Sequence, residues 1–196
     1  TDAHGFVETS AYNAFGDRVS FTNKNNHTWT TSYDALGRMQ SQTAPAVRVQ
    51  LSNESAPSWR ALETRIEYDA FGSVVQRREA FGTVDERTTR YAYDSLGRVT
   101  QTTAPGWYDP ANGRVERHEA AGRFQRTVDL SYDALGNEVR SRTRTGPGAN
   151  DFATRHKTYD ALGRLVHDID ALNHVTTFNE YDKNGHAKDA KDAKES

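Results

Sequence analysis

The sequence predicts an all-β protein, a repeated array of antiparallel β-hairpins joined into a curled sheet. Three observations lead there. The first is a motif that occurs seven times in 196 residues, a tyrosine followed by Asp or Asn, two further residues and glycine. The second is strict alternation of apolar and polar residues on either side of the motif. Trp29, Thr31 and Tyr33 share one face and Thr89, Tyr91 and Tyr93 another, which is the period of a strand. The third is composition: Thr, Val, Tyr and Phe dominate the flanks, and no stretch before the C-terminal tail carries helical periodicity. A unit repeated this often buries its apolar face only against its neighbours, so the repeat is the architecture.

The elements follow in order. The motif copies run Tyr12 to Gly16, Tyr33-Asp34 to Gly37, Tyr68-Asp69 to Gly72, Tyr93-Asp94 to Gly97, Tyr132-Asp133 to Gly136, Tyr159-Asp160 to Gly163, and Tyr181-Asp182 to Gly185. In the second copy, Asp34-Ala35-Leu36-Gly37 suits a type I turn, with Asp at the first corner and glycine taking a left-handed conformation at the fourth. A three-residue hairpin loop results, which sets Asp34 opposite Arg38 and Tyr33 opposite Met39. The same register sets Tyr68 against Val74, Tyr93 against Val99 and Tyr159 against Leu165. After Gly16 and Gly136 the apolar residue (Val19, Val139) comes one place later, so a bulge is expected in these two hairpins. The seventh copy, with His186 and Ala187 in place of Arg and a large apolar residue, is expected to fray. Intermediate turns at Asp2–Gly5, Glu79–Gly82, Glu119–Gly122 and Asp170–Asn173 reverse the chain at the opposite edge and complete a meander.

Successive motif tyrosines are 21, 35, 25, 39, 27 and 22 residues apart, so extra chain enters after the second and fourth copies. Thr43-Ala44-Pro45 and Thr103-Ala104-Pro105 open these insertions, and Trp59 and Trp107 follow. Loops on a rigid scaffold are the usual place for binding, which makes Trp59 and Trp107 the candidate binding residues; packing back onto the sheet is the competing reading and the one favoured. Residues 1–185 read as the array. Residues 186–196 hold three of the six lysines in a chain otherwise rich in arginine, and read as a separate charged tail, disordered or a short capping helix. The non-Met start and the motif copies at both ends suggest a segment of a longer array.

Composition narrows the function. Hydrophobic residues make up 35% and the mean hydropathy is −0.89, which suits a wide sheet with one wet face. A net charge of −2 gives no general attraction to nucleic acid, and no stretch reaches the length of a membrane-spanning helix. There is no cysteine, hence no disulfide and no thiolate chemistry. The seven histidines show no metal-binding spacing; the densest group, His167, Asp168, Asp170 and His174, reads as polar residues at a strand end and turn. The motif carboxylate recurs as a turn former, not as a catalytic group. With no phosphate loop or nucleophile elbow either, no enzyme and no cofactor are expected.

Tyr-Asp-Ala-Leu-Gly-Arg at 33–38 and 159–164, with Tyr-Asp-Ser-Leu-Gly-Arg at 93–98, resembles the YD (Rhs) repeat family of Rhs polymorphic toxins, toxin-complex shell subunits and teneurins. The resemblance covers residues 1–185. It implies a hairpin sheet spiralling into a hollow shell, enclosure of a toxin domain and secretion-linked or cell-surface work. The family's Pro- and Gly-rich core motif has no counterpart after Tyr181, and seven repeats are too few to close a shell. Expected partners are therefore the rest of a longer array or an encapsulated toxin domain. Two other functions stay open: a surface module that binds carbohydrate or a protein receptor, and a fibre subunit that self-associates through its sheet edges.

Overall fold

The computed structural model describes residues 7–116, 123–177, 180–181, 187–188 and 191–193. All its regular elements are strands, and the chain divides into two compact units, Thr1–Arg90 and Tyr91–Ser196.

The first unit contains β1 (Thr9–Tyr12), β2 (Arg18–Thr22), β3 (Thr28–Tyr33), β4 (Met39–Thr43), β5 (Val47–Val49), β6 (Ser58–Arg60), β7 (Glu63–Tyr68) and β8 (Val74–Glu79), with the start of β9 (Arg87–Tyr93). Its antiparallel order is β1-β2-β3-β4-β7-β8-β9, and β5–β6 is an inserted hairpin that leaves β4 and β7 as neighbours. The second unit continues from β9 through β10 (Val99–Thr103), β11 (Trp107–Asp109), β12 (Arg114–Glu116), β13 (Thr127–Tyr132), β14 (Glu138–Arg144), β15 (Phe152–Tyr159), β16 (Leu165–Ile169), β17 (Val175–Thr177), β18 (Glu180–Tyr181), β19 (Ala187–Lys188) and β20 (Lys191–Ala193). Its sheet runs β9-β10-β13-β14-β15-β16-β17-β20, with β11–β12 and β18–β19 as separate hairpins. Consecutive strands pair, so each unit is a meander interrupted by its insertion.

Alternation is clear in β3, where Trp29, Thr31 and Tyr33 are half-buried and Thr28, Thr30 and Ser32 are exposed. Apolar residues on the tyrosine face hold one another: Phe21 and Trp29 pair across β2 and β3 with rings stacked at 5.9 Å, and Arg18 lies 4.8 Å over Phe21. In the second unit β13 and β14 are half-buried along both faces. Full burial of apolar side chains is rare. Among the described residues it is confined to Leu51, in the first insertion, and Phe124, just before β13.

The bulge expected in two hairpins is general. Tyr12, Tyr33, Tyr68, Tyr132 and Tyr159 pair with Arg18, Met39, Val74, Glu138 and Leu165, always six residues on. The next pairs inward (Ala11 with Ser20, Ser32 with Ser41, Glu67 with Gln76, Ser131 with Arg140, Thr158 with His167) skip one residue of the returning strand. The three-residue loop therefore fixes the register, and the later apolar residues Val19 and Val139 simply occupy the skipped position. Tyr181 pairs with Ala187 at the same six-residue offset, while Asp182 and Gly185 lie outside the described residues. The tail differs from its composition-based reading as disorder or helix: residues 187–188 and 191–193 are extended, because the otherwise unpaired edge of β17 takes Lys191–Ala193 as a partner. The turns expected at Asp2–Gly5 and Glu119–Gly122 fall outside the described residues.

Candidate functional site

The motif turn is the repeated structural site, and its geometry follows from three residue choices. The Gly37 N–H donates to the Asp34 carbonyl at 3.0 Å, closing the turn, and the Asp34 N–H reaches the Arg38 carbonyl at 2.9 Å, closing the loop. Asp34 Oδ1 accepts the N–H groups of Leu36 (2.9 Å) and Arg38 (3.0 Å), while Oδ2 accepts Arg38 Nε at 2.7 Å. One carboxylate thus satisfies two backbone donors and one side chain. Asp94 with Arg98 and Asp160 with Arg164 repeat this arrangement. Asp133 uses Asn137 instead of arginine, and in the first copy the partners exchange roles, Asn13 Nδ2 donating to Asp17 Oδ2 at 2.9 Å. Asp69 accepts the N–H groups of Phe71 and Ser73, with serine in the arginine position.

Outside the seven copies, two turns at the opposite edge have the same form. Asp170 accepts Leu172 and His174 N–H groups, and Asn23 accepts those of Asn25 and His27. Asn173 (φ 64°) and Asn26 (φ 61°) stand in the glycine position. The Asn23 turn is invisible to a search for glycine; its signal is the Asn-x-Asn-Asn run, since asparagine tolerates the left-handed region.

These hydrogen bonds set the acid chemistry. The carboxyls of Asp34, Asp94 and Asp160 lie below the usual range because the backbone N–H four residues on, and then the arginine, favour the charged form. Asn137 does the same for Asp133, and the His174 backbone for Asp170. A carboxyl depressed in the folded state contributes stability above its unfolded pKa and loses it as pH falls through the folded value. The melting temperature should be flat near neutrality and fall below about pH 4. Asp94→Asn should keep the turn, as Asn13 does, and make that acid loss shallower in a melting series from neutral to strongly acid pH. An unchanged acid slope would refute the assignment.

Successive copies are tied together. Tyr33 Oη donates to the Arg18 carbonyl (3.0 Å), Tyr68 to Met39 (2.9 Å), Tyr132 to Val99 (2.8 Å) and Tyr159 to Glu138 (2.9 Å). The acceptor always lies six residues after the preceding motif tyrosine. Burial pushes the Tyr159 hydroxyl up, keeping it a donor. Arginines reinforce the row: Arg38 lies 4.4 Å over the Tyr68 ring and Arg98 4.7 Å over Tyr132, with Arg98 Nη1 also reaching the Asp133 carbonyl at 3.3 Å. Within each unit the motif turns therefore lie side by side along one edge. Tyr132→Phe, which removes only the hydroxyl, should cost about 0.5–1.5 kcal/mol in equilibrium unfolding; no measurable change would show the ladder to be incidental.

The insertions behave differently from each other. Trp59, on β6, is 72% exposed, so the expectation that it folds back over the sheet is corrected; it sits on the outer side of a short hairpin whose inner side is held by Leu51 and the Glu54–Arg60 ion pair. That insertion is moored by Ser52, whose N–H and hydroxyl donate to Asp85 at 2.9 and 2.7 Å. Trp107, on β11, is half-buried. Beside it Tyr108 and Phe124 exchange backbone hydrogen bonds (2.7 and 3.0 Å) and meet edge to face at 5.4 Å. Arg126 stacks on Tyr108 and Arg144 on Phe124.

Among the described residues, the acid and histidine side chains of the densest cluster are engaged pairwise with neighbours. Asp168 is taken by Arg155, His167 Nδ1 lies 3.0 Å from Thr158 Oγ1, and His174 Nδ1 lies 2.9 Å from Asp170 Oδ2. Among the described residues, no three His, Cys, Asp or Glu side chains are grouped to hold a metal. A groove of about 700 Å³ runs past Val139, His156, Lys157 and Tyr159, but Lys157 is paired with Glu138 at 3.0 Å and Tyr159 with the Glu138 carbonyl. Among the described residues no helix is long and apolar enough to cross a membrane.

Fold and site together define a hairpin-repeat scaffold, built from recurrent turns stitched edge to edge. The family model described as RHS Repeat matches residues 12–46 and 68–106. These two segments carry RHS repeats, in keeping with their Tyr-Asp turn motifs. Its backbone is similar to the crystal structure of TcdB2-TccC3-Cdc42, at a TM-score of 0.56 and 16% identity, over 83% of this chain and 7% of that one. The Photorhabdus luminescens Tc holotoxin pore gives a TM-score of 0.41 at 15% identity, over 97% of this chain and 12% of that one. The chain thus spans a small fraction of either structure's length. No curated protein matches it.

Proposed function

We propose that this chain is a non-catalytic wall segment of a secreted Rhs-type toxin or toxin-complex protein, whose tyrosine-bearing face encloses or presents cargo. The supporting observation is the copy-to-copy ladder of tyrosine hydroxyls: it spends the motif's polar groups on building a continuous sheet and leaves none committed to a reaction. On this reading the array runs through residue 185, residues 186–196 are an appendage, and the partners are further repeats or a toxin domain, in a secreted or cell-surface setting. Purified chain should be inert in broad hydrolase, nuclease and ADP-ribosyl-transfer assays and harmless when expressed in a susceptible cell. An activity that survives purification and disappears on mutation of one Asp or His would overturn the scaffold reading.

A second reading has one observation in its favour, the exposure of Trp59 on a moored hairpin. An amphipathic ring held rigidly outward suits carbohydrate or protein contact. Glycan-array binding that disappears in Trp59→Ala would favour this adhesive role over containment.

A further inference from the structure

The first motif copy departs from the others at one point, and the departure frees a cation. In later copies the arginine five residues after the tyrosine (Arg38, Arg98, Arg164) is held by the turn aspartate. Here Asp17 stands in that place and bonds Asn13, so the arginine falls one residue later, opposite Tyr12 on the strand. Met39, Val74 and Leu165 hold the same position in three other copies. Glu138 holds it in a fourth, and is matched by Lys157 at 3.0 Å. Arg18 has no such match: among the described residues its guanidinium makes no ion pair and lies over the Phe21 ring.

Arg18 borders a groove of about 230 Å³ on the tyrosine face, lined otherwise by Phe21, Trp29, Thr31 and Gln42. The stacked Phe21–Trp29 pair supplies its apolar wall, and Gln42 lies opposite Thr31 in the register of β3 and β4. Among the described residues the Thr31 hydroxyl, the Gln42 amide and the Trp29 indole N–H also have no protein partner. An aromatic wall with a few uncommitted polar groups around it has the make-up of a ligand site.

We infer that this groove binds a short extended stretch of the cargo polypeptide, one that carries a carboxylate beside an apolar side chain; that the occupant is cargo rests on the wall reading proposed above. Three observations select it. The lining holds one cation and no carboxylate, so its charge complements an anion, and a guanidinium offers a carboxylate paired donors. The Phe21–Trp29 pair gives the neighbouring apolar side chain a surface to cover. Gln42 brings a donor and an acceptor on one group, the complement of a backbone amide, whereas a bare anion would use the donor alone. The reach agrees as well: the lining crosses β2, β3 and β4, roughly 10 Å, the length of about three extended residues.

The test is a titration of the whole, ¹⁵N-labelled chain with a capped peptide in which glutamate precedes leucine. It is read at the indole N–H signals of the three tryptophans, with Trp29→Phe assigning one of them. An open groove of this size should bind with a Kd on the order of 1 mM and shift the Trp29 signal alone. Glutamine in place of the peptide's glutamate, or Arg18→Gln in the protein, should each weaken binding by ~10-fold, and the two together no further. Arg18 is exposed on its strand, so that variant should melt with the parent. Arg48→Gln, on β5 and outside the groove, should bind as the parent does. Equal affinity for the two peptides, an Arg18→Gln variant that binds like the parent, glucuronate shifting the Trp29 signal as strongly as the peptide, or no shift at ~10 mM peptide would each overturn the site. Those results would leave the wall reading standing. An enzymatic activity of the purified chain would overturn that reading and leave the peptide titration unaffected.

Discussion

Phe124→Ala should lower the unfolding free energy by about 3–5 kcal/mol, the largest effect of any single truncation among the described residues. Phe124 is fully buried in a protein whose sheets are mostly half-covered. Its ring closes the second unit at one point: edge to face with Tyr108, under the Arg144 guanidinium, with its backbone bridged to Tyr108 in both directions. Truncation removes the apolar transfer energy and leaves a cavity, and the Arg126–Tyr108 stack loses the surface against which it rests. The β11–β12 hairpin should loosen with it, so chemical denaturation followed by Trp107 fluorescence is the measurement. A variant within about 0.5 kcal/mol of the parent would mean that this insertion contributes no core.

Gly97→Val should cost about 1–3 kcal/mol, and the cause can be isolated. Gly97 has φ 77°, where a β-branched residue is strained. A Cβ placed there meets nothing within 4 Å, so steric overlap contributes little and backbone conformation carries the effect. The chain supplies its own control: asparagine holds the equivalent position at Asn26 and Asn173. Gly97→Asn should therefore fall well short of Gly97→Val in thermal unfolding. Equal losses would point to crowding at the turn and away from the left-handed geometry.

How far the sequence could be read depended on whether the controlling interaction was local. The fold class, the hairpins and the meander are readable because aspartate and glycine three residues apart fix a loop by themselves, as at Asp34–Gly37. The later apolar residues Val19 and Val139 point to a bulge in two hairpins only, whereas those of Tyr12, Tyr33, Tyr68, Tyr132 and Tyr159 all have one. The loop sets the register, and the skipped position tolerates Gln40 as well as valine. Hairpin register places the tyrosines opposite residues such as Met39 and Val74 but says nothing of their hydroxyls. Their acceptors, such as the Val99 carbonyl for Tyr132, come from the previous copy, 15 to 33 residues away, and depend on how the copies stack. Phe124 lies in no motif, and only the partnership with Tyr108 makes it a core residue. Trp59 went the other way, since its hairpin is moored through Ser52 and Asp85 and leaves the ring outside.

The central claim is that each copy is stabilised by the next through the arginine and tyrosine at the turn row. A double-mutant cycle on Arg98→Met and Tyr132→Leu, read by equilibrium unfolding, tests it most directly, because these side chains belong to different copies and meet only if the copies stack as described. The account predicts a coupling energy of about 0.5–1 kcal/mol. Losses that add to within about 0.3 kcal/mol would contradict it, and would leave the row of turns as neighbours that do not support one another.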